Sequence, residues 1–306
     1  MVLLLFSAGF LMIFALCRPE EAATLCREAL LLSAKNVVPS LFVFSVCARL
    51  LIAADVSGLI GRLPTKKLLR ALGVSEAGLA AVAVGLFAGF PVGASMLSSF
   101  TVRREMEKGE AEALMPFCNG ASAAFVIGTV GASFFGSTTV GMTLFLSQTA
   151  ATLLALLLTA NKRRRILPAN KPLSAKGVSF FSVFTSAIGE GAAAMVSVTG
   201  FITFFSVFSG ALAILFHGEE KVFFALLASF LEISGGLSQL SQISLPAPLT
   251  IGLAGFFLGF GGISVMMQAA DKAESATLSM RCYLGGKLLS AVLCAFFSLL
   301  LQGLCP

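Results

Sequence analysis

Residues 113–161 read ALMPFCNGASAAFVIGTVGASFFGSTTVGMTLFLSQTAATLLALLLTAN, with no charged side chain between Glu112 and Lys162. A run of about 20 apolar residues already spans a bilayer as an α-helix, so this stretch is long enough for two passes. Working outward from it, the chain resolves into apolar spans at about 2–17, 36–54, 77–100, 113–132, 139–160, 198–216, 222–243, 248–270 and 283–304. None shows the alternating segments of about ten residues that mark a transmembrane β-barrel. The whole chain of 306 residues is 57% hydrophobic and 12% charged, against about 45–50% and about 25% in soluble domains. So little charge cannot cover a soluble particle of this size. The expected fold class is all-α: a polytopic helical membrane protein whose first partner is the lipid bilayer. An ordinary soluble protein, a disordered chain and a nucleic-acid binder are excluded.

The net charge of +6 is concentrated in two basic clusters. One holds Arg62, Lys66, Lys67 and Arg70. The other holds Lys162, Arg163, Arg164, Arg165, Lys171 and Lys176. Basic loops beside apolar spans mark the cytoplasmic side, so loops 62–70 and 161–176 are expected in the cytoplasm. Val2 to Cys17 has no Lys or Arg before it and no small-x-small site after it, which favours a retained first helix over a signal peptide. The expected division is an N-terminal membrane helix and short loop (1–30), a first repeat (31–160), a basic linker with Pro168 and Pro172 (161–177) and a second repeat (178–306).

Two Gly-rich elements suggest that repeat. Gly85-Leu86-Phe87-Ala88-Gly89-Phe90-Pro91-Val92-Gly93-Ala94-Ser95 matches Gly255-Phe256-Phe257-Leu258-Gly259-Phe260-Gly261-Gly262-Ile263-Ser264 with one residue skipped. Upstream, Phe44-Ser45-Val46 recurs as Phe205-Ser206-Val207. With both basic clusters on one side, the chain crosses an even number of times between them, yet three apolar segments lie there. Pro91 removes a backbone donor and the glycines add freedom. Segment 77–100 is therefore the best candidate for a re-entrant hairpin. Spans 36–54 and 198–216 then run in opposite directions, an inverted-topology repeat of the kind many secondary transporters have.

Broken backbone at membrane depth is tolerated only where it is buried in protein or lines a cavity. Gly89, Pro91, Gly93, Gly259, Gly261 and Gly262 are the expected hinge or broken-helix positions, with unwound turns at 91–95 and 261–264. The competing role for Gly85/Gly89 and Gly255/Gly259 is close helix packing through GxxxG. Asn119 and Ser122 lie in the uncharged stretch, and Asn119-Gly120 suggests another break. Glu232 sits inside an apolar span, where a carboxylate costs about 2.5–3.5 kcal/mol on insertion scales and is a functional hypothesis by default. Asn119, Ser122, Glu232, Ser264, Gln268 and Ser95 are the candidate solute contacts, and Glu232 and Glu190 the candidate ion-coupling groups. The seven cysteines form no CxxC and His217 stands alone, so no metal site and no cofactor are expected. No HExxH or P-loop occurs, and no enzymatic activity is expected.

Val38-Pro39-Ser40-Leu41-Phe42, Gly89-Phe90-Pro91-Val92-Gly93-Ala94, Phe117-Cys118-Asn119, Ile127-Gly128-Thr129-Val130-Gly131, Leu231-Glu232-Ile233 and Leu258-Gly259-Phe260-Gly261-Gly262 occur in this order. Together they resemble the YlbJ-type sporulation integral membrane proteins, within the nucleoside-recognition or Gate-domain superfamily, over residues 30–300. Two positions depart from the family pattern: Gly120 stands where Asn is common, and Ser95 where Lys is common. The resemblance implies a bacterial inner-membrane protein of a spore-forming lineage. It also implies kinship with concentrative nucleoside transporters and the gate regions of ferrous-iron transporters, which place substrate at paired hairpins. The expected function is a secondary transporter or gate for a small polar solute, with H⁺ or Na⁺ as coupling ion. The alternative is a membrane scaffold for spore envelope or coat assembly. A homo-oligomer or a partner membrane subunit remains open.

Overall fold

The computed structural model describes residues 2–62, 66–163, 179–216 and 220–303. Among the described residues the regular structure is helical, without a strand. α1 (Val2–Cys17) precedes α2 (Pro19–Leu32), whose first turn carries Pro19, Glu20 and Glu21. Proline suits a position whose N–H has no helical partner, and acids suit the positive end of the dipole. α2 passes through a π turn, Ser33–Val37, into α3 (Val38–Ala53). α4 (Val56–Gly61) and α5 (Lys66–Leu72) lead to a hairpin of α6 (Glu76–Ala88) and α7 (Val92–Val102). α8 (Lys108–Cys118) is followed by a non-helical break, a π-helical segment (Phe125–Phe134) and α9 (Thr138–Arg163).

α10 (Phe180–Leu215) has 36 residues. α11 (Lys221–Leu231) and α12 (Ile233–Leu240) form a second hairpin. α13 (Ala247–Phe260) and α14 (Gly262–Glu274) continue one another across Gly261 as one 28-residue apolar run. α15 (Tyr283–Gln302) packs along α13 and α9.

Among the described residues, five runs are long and apolar enough to cross a membrane: Pro19–Ala53, Thr138–Asn161, Phe180–Leu215, Ala247–Glu274 and Tyr283–Gln302. α5 and α6, bent by 77° at their junction, would make a sixth. The outward faces are apolar, with Phe181 79% and Val196 75% exposed. Such a surface is unfavourable in water and at home in hydrocarbon, so the chain is an integral, multi-pass membrane protein. Beneath it lie two apolar cores. One, with Met96, Phe100 and Leu114, joins α6, α7 and α8. The other, with Phe125, Leu144, Ile202 and Leu258, joins the π-helical segment to α9, α10 and α13.

Several spans differ from the hydropathy reading. Segment 222–243, read as one span, is broken at Glu232, and 77–100 and 113–132 are interrupted as well. Spans 36–54 and 198–216 are the apolar ends of longer helices that start at Pro19 and Phe180. Glu20, Glu21, Arg27, Glu28 and Glu190 lower the hydropathy of those starts without interrupting the helix. The break in 77–100 is Gly89-Phe90-Pro91, with a cis Phe90–Pro91 peptide, and 92–95 is already helical. The two matching Gly-rich motifs occupy different elements, a hairpin turn in one case and a discontinuous helix in the other. Arg164, Arg165, Pro168, Lys171, Pro172, Lys176 and His217 lie outside the described residues.

Candidate functional site

Among the described residues, four breaks fall within apolar segments, and they pack in two pairs. In the first pair, the α6–α7 turn lies against the break after α8. Phe90 N–H donates to the Gly120 carbonyl at 2.8 Å. Gly89, at φ +71°, stands so close to the Ser122 backbone that a Cβ would not fit. Irregular backbone in a membrane must be satisfied internally, and side chains of neighbouring helices supply partners here. Gln148 on α9 accepts the Ala121 N–H at 3.2 Å and donates to the Ala121 carbonyl at 2.8 Å. Ser122 Oγ accepts the Phe125 N–H at 3.1 Å. The buried Asn119 side chain donates to Tyr283 Oη at 3.0 Å.

In the second pair, the break at Glu232 lies against Gly261-Gly262. Glu232 is buried with an extended backbone and its carboxylate caps α12. One oxygen accepts the Ser234 N–H at 2.9 Å and the other the Gly235 N–H at 2.7 Å. Gly262, at φ +82°, faces the Leu231 carbonyl and the Ile233 N–H. Ser264 and Gln268 are buried in the first turns of α14 and bonded to each other, Nε2 to Oγ, at 3.2 Å.

Lys287 on α15 joins the two pairs. Its side chain is buried, and Nζ donates to the Asn119 carbonyl at 2.9 Å. A Cβ on Gly261 would stand 3.3 Å from that same nitrogen. Among the described residues, Asn119 Oδ1 and Gln268 Oε1 are buried acceptors without a hydrogen-bond partner.

Two cavities flank this centre. The larger, about 450 Å³, lies beside Glu232 and is lined by Glu28, Ser206, Ser209, Ser238, Gln239 and Gln242. Its lining carries acids, amides and hydroxyls and no basic side chain. The smaller, about 210 Å³, lies at the α6–α7 hairpin. There Arg49 on α3 gives one guanidinium nitrogen to Glu190 at 2.8 Å and another to Ser95 Oγ at 2.7 Å, with Lys272 on the same wall.

The candidate residues of the sequence are thus distributed over three places. Asn119 and Ser122 belong to the first break, Glu232, Ser264 and Gln268 to the second break and α14, and Ser95 and Glu190 to the smaller cavity. Gly93 and Gly259 are helical rather than hinges. A Cβ on Gly93 would overlap the Cys118 carbonyl, and one on Gly259 would meet Ala291 Cα at 2.6 Å. Both serve close packing, as does Gly85. Glu190 is exposed and ion-paired, so it is no buried coupling group in this conformation. The sequence reading passed over Gln148, Tyr283, Lys287 and Arg49. Lys287 carried a signal, being the one charged side chain between Tyr283 and Gln302, and an intramembrane ionisable group is a functional candidate by default.

The fold has a solved counterpart. The chain matches the structure of CNTnw in an inward-facing substrate-bound state with a TM-score of 0.54, covering 89% of this chain and 76% of that one at 15% identity. It shares the fold of CNTnw. In sequence it is 23% identical, over 97% of its length and 82% of the relative, to the sporulation integral membrane protein YlbJ of Bacillus subtilis (strain 168). No family model matches.

Proposed function

We propose that the chain is a secondary carrier for a small polar solute in a bacterial inner membrane, with loops 62–70 and 161–176 cytoplasmic. The observation that carries this reading is the cavity of about 450 Å³ beside the Glu232 break, where acidic, amide and hydroxyl groups share the lining with Leu25, Ala29 and Leu32, in a protein whose outer surface is apolar. A packed scaffold has no need of such a space, whereas carriers place solute where helices are discontinuous. The fold shared with CNTnw and the resemblance to a superfamily that includes concentrative nucleoside transporters support the same reading, and put nucleosides among the first solutes to test.

The order of elements supports two related halves. A long helix, a hairpin, a broken helix and an unbroken helix occur as α2–α3, α6–α7, α8 with the π-helical segment, and α9. They occur again as α10, α11–α12, α13–α14 and α15. In this pairing hairpin matches hairpin, unlike the pairing by Gly motifs. The two halves would be inverted and would move against each other to open the larger and smaller cavities in turn.

The test is thermal unfolding of the detergent-purified chain against nucleosides, bases, dicarboxylates and amino acids. A ligand at 100 times its dissociation constant adds about 2.7 kcal/mol of stability. A shift with one solute class, lost in Gln239→Ala and followed by uptake into proteoliposomes, supports the carrier. A well-folded sample with neither shift nor flux moves the role to scaffolding of spore envelope or coat assembly.

A further inference from the structure

We propose that the Lys287 ammonium is a tethered cation filling the seat that a coupling Na⁺ would otherwise occupy, so that this chain works without Na⁺. The inference rests on the carrier reading for its meaning, but not for its test.

The geometry is that of an ion site. Discontinuous helices hold cations with unwound carbonyls and the C-terminal ends of half-helices. The Asn119 carbonyl is such a group: it belongs to the C-cap residue of α8, where the helix dipole is negative. The group it binds is Lys287 Nζ, at 2.9 Å. The same nitrogen lies against Gly261, the C-cap of α13 and the second interrupted helix. One ammonium therefore stands between two half-helix C-termini, reached from a third helix.

Its hydrogen bonding is only partly satisfied. An ammonium has three donors, and the Asn119 carbonyl is its one hydrogen-bond partner among the described residues. Asn119 Oδ1, on the same residue, is a buried acceptor without a partner. No carboxylate is ion-paired with Lys287 among the described residues. A buried charge normally needs an ionic partner or neutralises. Here the Asn119 carbonyl and the negative end of the α8 dipole take that place, groups of the kind that hold Na⁺ at broken helices. A second monovalent cation at this point would meet direct like-charge repulsion, so the tether also excludes Na⁺.

The test is thermal stability of the purified full chain at constant ionic strength, in Na⁺ against choline, for the wild type, Lys287→Ala and Lys287→Met. The wild type should melt alike in both salts. Lys287→Ala should melt lower and regain several degrees with n-propylammonium, the fragment removed, or with Na⁺, but not with choline. Lys287→Met, which fills the space without charge, should melt below the wild type and gain nothing from n-propylammonium. Preferential stabilisation of the wild type by Na⁺ would overturn the inference while leaving the carrier reading intact. So would a Lys287→Met protein as stable as the wild type, or a folded Lys287→Ala protein indifferent to both cations. If Lys287→Ala does not fold, the wild-type and Lys287→Met measurements still decide. Failure to find a solute would leave these stability results unaffected.

Discussion

Gln148 holds Ala121 by both of its backbone polar groups, accepting its N–H at 3.2 Å and donating to its carbonyl at 2.8 Å. One amide side chain on α9 thus does for the break what a neighbouring turn does inside a helix. Gln148→Leu removes both bonds at once. A buried polar group left unpaired costs about 1–3 kcal/mol, and two are stranded here. The variant should melt well below the wild type in detergent. A melting temperature within a degree of wild type would show that the break is satisfied by other means.

Glu232→Gln should destabilise the protein whatever the protein transports. A carboxylate accepts both the Ser234 and Gly235 N–H groups, whereas an amide offers one oxygen and turns a donor on the other. Loss of a helix N-cap costs about 0.5–2 kcal/mol. The α12 amides should then exchange hydrogen faster, which hydrogen–deuterium exchange reads directly. Loss of function in this variant alone therefore does not separate a solute contact from a structural cap. Gln239→Ala does, because Gln239 lines the cavity and is exposed to it.

Gly93→Ala should be among the most damaging of the glycine substitutions, because its Cβ would overlap the Cys118 carbonyl. Overpacking of this kind costs about 1–3 kcal/mol. Gly200→Ala is the contrasting case. Nothing lies within 4 Å of its Cβ position in the middle of α10, and alanine favours a helix over glycine by about 1 kcal/mol. Thermal melts of the two variants should move in opposite directions. Equal losses would contradict the close approach of α7 to α8.

The Arg49–Glu190 pair should matter little for stability. Its side chains are 30% and 47% exposed, and exposed pairs are worth about 0.2–1 kcal/mol. A double-mutant cycle with Arg49→Ala and Glu190→Gln should give a coupling in that range that shrinks with added salt. Arg49 should matter more for solute movement, because it ties α3 and α10 to the α6–α7 hairpin through Ser95. Flux in proteoliposomes should change in Arg49→Ala while the melting temperature barely moves.

The membrane class and three of the four breaks were readable along the chain, whereas the break at Glu232 was not. An uncharged run such as 113–161 can only be stable in lipid, and Gly89-Phe90-Pro91, Asn119-Gly120 and Gly261-Gly262 interrupt it or its neighbours for reasons local to the backbone. A proline lacks its donor and a glycine tolerates positive φ. What repairs each break was not readable. The Lys287–Asn119 bond joins residues 168 apart, and Gln148 reaches Ala121 across 27 positions. Hydropathy and spacing describe each helix alone. The partner of an unwound carbonyl depends on which helices lie side by side, and packing of α15 against α8, α9 and α13 settles that.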